Sequence, residues 1–352
     1  MKNFYFLFLV FLLVLLKTFT HLNLVVYEKQ IFNSFEYYEN SEFILKLSLK
    51  EVNSLKSKEE NFELTNKQNS KLINVYDLNT KITNKFECIK SANVFVKTTI
   101  CLHDLQRDIF ISRNVKIYGS WEKHLLNIFM KILNSNKNIQ VFDIGAHIGQ
   151  YTLFAAKFER KVISVEPFYE NYIRIQKAAQ IENLTNNIIL VANGISDKKG
   201  QVSKLKRSEK NIGGQGIDDT FADKSSSSYN PDDRYYLKTI ELDDLILVLS
   251  DNFKEAILKI DIEDYEIKAF KKAQRLFNRV KFHAIFMEWM GKNRKSRFVE
   301  KDIEIFLDFM YVRKFKCFNP FGLKELERKL WKFWPGDIIW MHNNLTFDSI
   351  LK

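Results

Sequence analysis

The chain has 352 residues, of which 46% are hydrophobic, so it is long enough for a large core in one domain of about 240 residues. The formal net charge is +11, but the lysines and arginines are spread along the chain and form no recognisable nucleic-acid motif. We therefore expect no nucleic-acid partner, and the charge instead favours an acidic glycan, a phospholipid surface or simple solubility.

The N-terminal segment, residues 1–29, is predicted to be a signal anchor or a signal peptide. Residues 4–16 follow Lys2 and carry no charge, and residues 18–27 carry no acid. Together they approach the roughly 20 apolar residues that cross a bilayer. Small residues are absent near the end of this run, which disfavours cleavage. We expect a single-pass anchor with the catalytic part in the lumen of the Golgi or ER, or a secreted protein if the segment is cleaved.

Residues 30–85 are rich in Lys, Glu, Asn and Ser and contain no Gly or Pro, which predicts a stem. Residues 86–118 contain short apolar stretches, including 91–101 and 109–111, that predict strands capping the catalytic domain.

The chain has three cysteines. Cys88 and Cys101 are close enough in sequence to close a small loop, and we predict a disulfide between them, with Cys317 left in an apolar strand.

The catalytic domain is assigned to residues 119–352, and its centre is a strand-turn-helix-strand unit. Apolar residues at helical spacing predict a helix over residues 121–132. Val141–Ile144 predicts a buried strand, a helix follows Gly149, and Lys161–Val165 predicts the next strand. Parallel strands joined in this way form the core of a nucleotide-binding α/β sheet.

The turn residues indicate the kind of ligand. Gly145 and Gly149 allow the backbone to turn sharply and approach a ligand, while the following helix N-terminus offers N–H groups to an anionic group. Glu166 ends the second strand, where a carboxylate can accept hydrogen bonds from both hydroxyls of a ribose.

A dinucleotide is disfavoured, because His147 and Gln150 occupy the second and third glycine positions of G-x-G-x-x-G. Asp143 is predicted to face the helix start, where it can hold a ligand ammonium. An amino-acid nucleoside such as S-adenosylmethionine carries an ammonium, a carboxylate and a ribose.

The segments DIGAHIGQYTL, at residues 143–153, and SVEP, at residues 164–167, resemble motif I and the second strand of class I methyltransferases, most closely the FkbM-like family. Three further segments resemble that family in the same order: NGISD at 193–197, TIELDDL at 239–245 and LKIDIEDYE at 258–266. The resemblance covers roughly residues 115 to 345.

The resemblance implies a Rossmann-like class I methyltransferase fold, with a seven-stranded, mostly parallel sheet and helices on both faces. It also implies S-adenosylmethionine as the cofactor. The expected cofactor-binding residues are Asp143, Gly145, Ala146, His147, Gly149, Glu166 and Asn193.

The chain departs from the family pattern at two positions. His147 replaces the usual asparagine, and Asp264 replaces the glycine after the acidic pair. Aspartate tolerates a left-handed backbone better than most residues, so we expect the turn to form.

Three acids are candidate catalytic residues. Asp261 and Glu263 lie on one face at the end of the predicted strand 257–262, and Glu288 follows the strand 282–287. A carboxylate there can take the proton of an acceptor hydroxyl. The alternatives are that the acids cap the predicted helix 265–277 or hold a divalent cation. We assign no metal. The imidazole of His147 is a further candidate base, although packing on the cofactor is the preferred interpretation.

The other elements complete the expected sheet. Residues 187–192 predict the third strand, residues 300–311 a helix, and residues 314–318 and 338–342 the final strands, the last of them antiparallel. Residues 200–237 form an irregular insertion that, in an enzyme, is a candidate lid or acceptor-binding segment.

The sequence thus predicts a methyltransferase that uses S-adenosylmethionine to methylate a hydroxyl of a glycan or another secretory-pathway acceptor. Two alternatives remain open: a catalytically inactive binding module with the same fold, and a nicotinamide-dependent oxidoreductase.

Overall fold

The computed structural model describes residues 72–218, 221, 233–289 and 300–345. The predicted anchor, residues 1–29, and most of the predicted stem lie outside these ranges. In the part of the chain that is described, no helix has the length and apolar character needed to cross a bilayer.

Apolar runs form the strands of a central sheet, because parallel strands covered by helices are buried on both faces. In chain order the strands are β1 (Val75–Tyr76), β2 (Cys88–Lys90), β3 (Thr99–Cys101), β4 (Ile139–Ile144), β5 (Val162–Val165), β6 (Ile188–Val191), β7 (Gly194–Ile195), β8 (Val202–Lys204), β9 (Tyr236–Ile240), β10 (Glu255–Ile260), β11 (Lys281–Glu288), β12 (Phe315–Phe318) and β13 (Asp337–His342). The helices are α1 (Ile111–Tyr118), α2 (Lys123–Ser135), α3 (Gln150–Lys157), α4 (Tyr169–Ile181), α5 (Glu266–Phe270), α6 (Gln274–Arg279) and α7 (Glu300–Val312).

The central sheet is mostly parallel, as predicted, but it has eight strands among the described residues, in the order β1-β6-β5-β4-β10-β11-β13-β12. The five strands from β6 to β11 pair in parallel, and β13 runs antiparallel to both β11 and β12. The prediction of seven strands missed β1, which pairs antiparallel with β6. β1 lies in the segment predicted to be stem, so the folded domain begins before residue 86.

Two apolar clusters fill the space between the sheet and the helices on its two faces. Successive residues of a strand point to opposite faces, and β4 accordingly sends Val141 into the cluster with α2, α3 and α4, and Phe142 into the cluster with α5, α6 and α7. The predicted layer arrangement is therefore confirmed.

The segment before α2 is only partly a strand region. β2 and β3 pair antiparallel and place Cys88 opposite Cys101, and the predicted disulfide between them is present. The predicted strand at residues 109–111 is wrong, because α1 begins there. The carboxylate of Asp108 accepts hydrogen bonds from the backbone N–H groups of Ile111 and Ser112, at 3.0 and 2.8 Å, and so satisfies donors that a helix start leaves free.

The predicted helix over residues 265–277 is two short helices, α5 and α6. A distant side chain explains the division. The carboxylate of Asp243 accepts a hydrogen bond from the backbone N–H of Leu276, at 2.7 Å, and the Asp243 N–H donates to the Lys272 carbonyl, at 2.9 Å. These bonds satisfy backbone groups at the point where the helix is interrupted.

Candidate active site

The carboxyl ends of β4, β5 and β10 meet beside a cavity of about 80 Å³, as expected for ligand sites on open α/β sheets. Six of the ten predicted site residues line it, namely Gly145, His147, Glu166, Asn193, Asp261 and Glu263. The remaining four, Asp143, Ala146, Gly149 and Glu288, lie outside its wall.

The first glycine of the turn allows two backbone segments to approach closely. Gly145 has φ +81° and donates its N–H to the Val165 carbonyl, at 2.8 Å. A Cβ at this position would lie 1.8 Å from the carbonyl oxygen of Asp261. Only glycine therefore fits between the end of β4 and the end of β10.

The second glycine has a packing role. Gly149 has φ +84° immediately before α3, and a Cβ there would lie 2.8 Å from the Ile175 side chain on α4. Gly149 thus allows α3 to start close to α4, which fixes the turn without contacting the cavity.

Glu166 presents a buried carboxylate to the cavity. Its Oε2 accepts a hydrogen bond from the His147 N–H and its Oε1 from the Phe168 N–H, both at 2.8 Å. Burial raises the pKa of Glu166 to about 8. The two oxygens have hydrogen-bonding capacity beyond these two bonds, so the side chain can exchange further hydrogen bonds with a ligand diol.

Asp143 stabilises the turn between β4 and α3 through hydrogen bonds. Its Oδ2 accepts hydrogen bonds from the backbone N–H of Thr152, at 2.9 Å, and from the Thr152 hydroxyl, at 2.6 Å, which also lies 2.9 Å from the Ser164 hydroxyl. Burial raises the pKa of Asp143 to about 6. The network joins β4, α3 and β5.

Ala146, in the same turn, is also buried and donates its N–H to the Val165 carbonyl, at 3.1 Å.

The imidazole of His147 lies in the cavity wall. Its backbone is left-handed, with φ +52°, and burial lowers the pKa of the ring, which is therefore neutral at pH 7. Within the described part of the chain, neither ring nitrogen has a hydrogen-bond partner. The ring packs under Gly213, where a Cβ would lie 1.7 Å from Nε2.

Asn193 is committed to backbone partners. Its Oδ1 accepts a hydrogen bond from the Asn74 N–H, at 2.7 Å, and its Nδ2 donates to the carbonyls of Leu72 and Lys238, both at 3.1 Å. The side chain therefore ties the segment around β1 to β9, which is a structural role beside the cavity.

The insertion forms one wall of the cavity, as its position predicted. Gly213, Gly214 and Gln215 line it, and the Asn171 side chain holds this segment by donating to the Gly213 carbonyl at 2.9 Å. Sequence reasoning did not single out these residues as cavity residues. The pair Gly213-Gly214 was the available signal.

The acids at the ends of β10 and β11 divide between two environments. Asp261 and Glu263 line the cavity, and Lys259 contacts Asp261 Oδ2 at 3.0 Å. Glu263 and Asp264 have φ of +54° and +79°, so Asp264 adopts the left-handed conformation expected of the family's glycine. Glu288 lies outside the cavity wall, at the end of β11.

A fourth acid, Glu266, was missed as a site residue. Its Oε1 accepts a hydrogen bond from the Ile262 N–H, at 2.7 Å, and burial raises its pKa to about 8. One oxygen each of Asp261, Glu266 and Glu288 lie within 4.8 Å of one another. The available sequence signal was its position as the last acid of the segment 258–266.

The fold and the cavity are those of a Rossmann-like α/β domain with a ligand site at the carboxyl ends of its parallel strands. Residues 143–316 match the family described as the Methyltransferase FkbM domain. These residues of the chain therefore form an FkbM-type methyltransferase domain. A methyl donor is therefore implied.

Three solved structures also resemble part of this chain, at low identity and low TM-score. The crystal structure of methyltransferase FkbM from Methylobacillus flagellatus KT is 14% identical, with a TM-score of 0.33, covering 58% of this chain and 43% of that chain. A structure of WbdD is 13% identical, with a TM-score of 0.36, covering 69% of this chain and 45% of that chain. Another WbdD structure, described as a bifunctional kinase-methyltransferase, is 13% identical with a TM-score of 0.37. The match covers 69% of this chain and 44% of that chain. The chain thus spans less than half the length of these proteins. No curated protein matches the chain.

Proposed function

We propose that this protein is an S-adenosylmethionine-dependent methyltransferase that methylates a hydroxyl of a glycan or another secretory-pathway acceptor. The observation that carries this proposal is the buried Glu166 carboxylate in the cavity wall of an FkbM methyltransferase domain. A carboxylate at the end of the second strand of such a sheet is suited to accepting hydrogen bonds from ribose hydroxyls.

The residues around the cavity fit this cofactor. Glu166 would hold the ribose, and the backbone at Gly145 lies at the wall with no side chain to exclude a ligand. The buried ring nitrogens of His147 can exchange hydrogen bonds with a polar ligand group. When bound, S-adenosylmethionine supplies a methyl group activated by its sulfonium.

Asp261 and Glu263 are the proposed acceptor-side groups. Both line the cavity beside the glycine turn, where a carboxylate can orient an acceptor hydroxyl and accept its proton. Lys259 Nζ lies 3.0 Å from Asp261 Oδ2 and offsets the charge of that carboxylate.

The proposed location is the lumen of the secretory pathway, with the chain held in the membrane through residues 1–29. Two observations support it: the apolar N-terminal sequence and the disulfide between Cys88 and Cys101, which favours an oxidising compartment. This location makes a glycan a reasonable acceptor class and nucleic acid an improbable one.

The two alternatives are weaker. The FkbM domain favours methyl transfer over hydride transfer. The binding-module alternative rested on Asp264, whose backbone has the left-handed φ of +79° that this turn requires. The departure from glycine therefore gives no structural reason to expect an inactive site.

Calorimetric titration of the full-length protein, produced in an oxidising secretory host, tests the cofactor. We expect saturable binding of S-adenosylmethionine and none of NADH. Glu166→Gln should weaken the binding by about 10- to 100-fold, because the amide replaces one acceptor oxygen of the carboxyl group with an NH2 donor. Glu170→Gln, on the adjacent helix turn, serves as the matched control. Binding of NADH, or equal affinity in the Glu166→Gln variant, would contradict the assignment.

Acceptors are then tested with labelled S-adenosylmethionine and panels of glycans, amines and carboxylates. Transfer to hydroxyls is the expected result. Transfer to amines or carboxylates with none to hydroxyls would contradict the proposed acceptor class. Saturable cofactor binding without methyl transfer to any member of a broad panel would favour the binding-module alternative.

A further inference from the structure

Three acidic side chains from three separate elements converge next to the cavity. Asp261 follows β10, Glu266 begins α5 and Glu288 ends β11. One carboxylate oxygen of each lies within 4.8 Å of the other two. Their approach is imposed by the fold, because the carboxyl ends of the adjacent parallel strands β10 and β11 lie side by side.

The burial of Glu266 is the second observation. Glu266 is only 1% exposed, and its Oε1 accepts the hydrogen bond from the Ile262 N–H. Its Oε2 is buried and has no hydrogen-bond partner within the residues that the structure describes. A carboxylate oxygen removed from water without a partner is costly, and a bound cation removes that cost.

The charges around the cluster also favour a cation. Lys259 contacts Asp261 at 3.0 Å, and its buried ammonium is also subject to the charges of Glu122 and Asp337. This single lysine is therefore shared among several acids. A divalent ion would add positive charge beside the carboxylates of the cluster.

We propose that Asp261, Glu266 and Glu288 bind a divalent metal ion of the Mg²⁺ or Mn²⁺ type. Carboxylate oxygens are the ligands that these hard cations prefer, and three of them leave coordination positions for water or for a substrate oxygen. Asp261 belongs both to this cluster and to the cavity wall, so the ion would lie where an acceptor hydroxyl can reach it. This role at the acceptor rests on the proposed methyltransferase function, whereas metal binding itself does not.

Titration of the full-length protein with Mn²⁺, followed by the loss of the electron paramagnetic resonance signal of the free ion, tests the site. The titration is done without S-adenosylmethionine or acceptor, so its result is independent of the proposed function. We expect one tightly bound Mn²⁺ per chain, displaced by excess Mg²⁺, and about tenfold or greater weakening in both Glu266→Gln and Glu288→Gln. Glu325→Gln, a surface carboxylate paired with Lys316, is the matched control and should bind like the wild type.

Two results would overturn the proposal: no Mn²⁺ binding by folded wild-type protein at millimolar concentration, or equal affinity in the wild type and the two cluster variants. Circular dichroism establishes that each variant is folded. If Glu266→Gln does not fold, Glu288→Gln alone decides, because its side chain is only half-buried and lies at a strand end.

Discussion

One buried glutamate, Glu166, lies in the cavity wall and another, Glu266, lies beside the cavity, and the two side chains differ in their hydrogen bonds. Glu166, on the β5 side, accepts a backbone hydrogen bond on each oxygen. Glu266, on the β10 side, accepts one on Oε1, and its Oε2 is buried without a hydrogen-bond partner in the described ranges. Burial raises the pKa of both to about 8. Burial alone therefore does not define the role of a carboxylate. The hydrogen bonds distinguish the two side chains: Glu166 is positioned to bind a ligand diol, and Glu266 is positioned to bind a cation.

The largest effect is expected from Gly145→Ala, which disrupts the glycine turn between the end of β4 and the end of β10. The new Cβ would lie 1.8 Å from the Asp261 carbonyl oxygen, and φ is +81°, so we expect the free energy of unfolding to fall by roughly 3 kcal/mol or more. Gly322→Ala is the control, because φ is +76° there but no atom lies within 4 Å of the new Cβ. It should cost only about 1–2 kcal/mol of backbone strain. Equal losses in urea denaturation would show that the close approach of the two strands is unimportant.

The next largest effect is the pH dependence of stability that arises from the protonation of Glu166. Its pKa is raised to about 8 in the folded protein, from an ordinary value of 4.5, so the folded state retains a proton that the unfolded chain loses. Stability should therefore fall as pH rises from about 5 to about 8. Glu166→Gln should reduce this fall by on the order of 3 kcal/mol, measured by denaturation across that range. An unchanged pH dependence in the variant, with Glu170→Gln as control, would contradict the prediction.

The contact between the insertion and the turn is tested by a double-mutant cycle. Gly213→Ala places a Cβ 1.7 Å from His147 Nε2 and should cost about 1–2 kcal/mol of stability. In the His147→Ala background the imidazole is gone, and the same substitution should be nearly neutral. Gly336→Ala, with no atom within 4 Å of the new Cβ, is the control. Additive effects of the two substitutions would mean that the insertion does not pack on His147 in solution.

The smallest effect is expected at the departure from the family pattern. Asp264→Gly should raise the free energy of unfolding by about 0.5–1 kcal/mol, because glycine adopts φ +79° without steric strain. Lys314→Gly, at an exposed position with φ +62°, is the matched control and should give a similar gain. A loss of stability in Asp264→Gly alone would indicate that the aspartate side chain contributes contacts that outweigh the strain.

The sequence predicts the fold well where the signal is local. The apolar runs of β4, β5, β10 and β11 identify the buried strands. The division between α5 and α6 was missed because it depends on Asp243, which is more than 20 residues away in the chain. β1 was missed because two residues in a Lys- and Asn-rich segment show no periodicity.

The site residues, too, are predicted well only where the signal is local. Gly145 and Glu166 follow directly from strand ends, and both line the cavity. Asp143 and Asn193 were predicted to contact the ligand, but their hydrogen bonds to Thr152 and to the backbone around β1 and β9 arise only in the folded chain. Which polar side chain at a strand end remains available depends on its tertiary partners, which the sequence alone does not give.

The pairing of β1 with β6 has a consequence for handling the protein. Val75 and Tyr76 cover the backbone N–H and carbonyl groups at the outer edge of the sheet, opposite Val191 and Leu190. A chain shortened to begin at residue 86, the predicted end of the stem, would leave that edge open as a template for strand addition by another molecule. Such a truncation would favour aggregation, and soluble fragments of this protein should keep every residue from 72 onward.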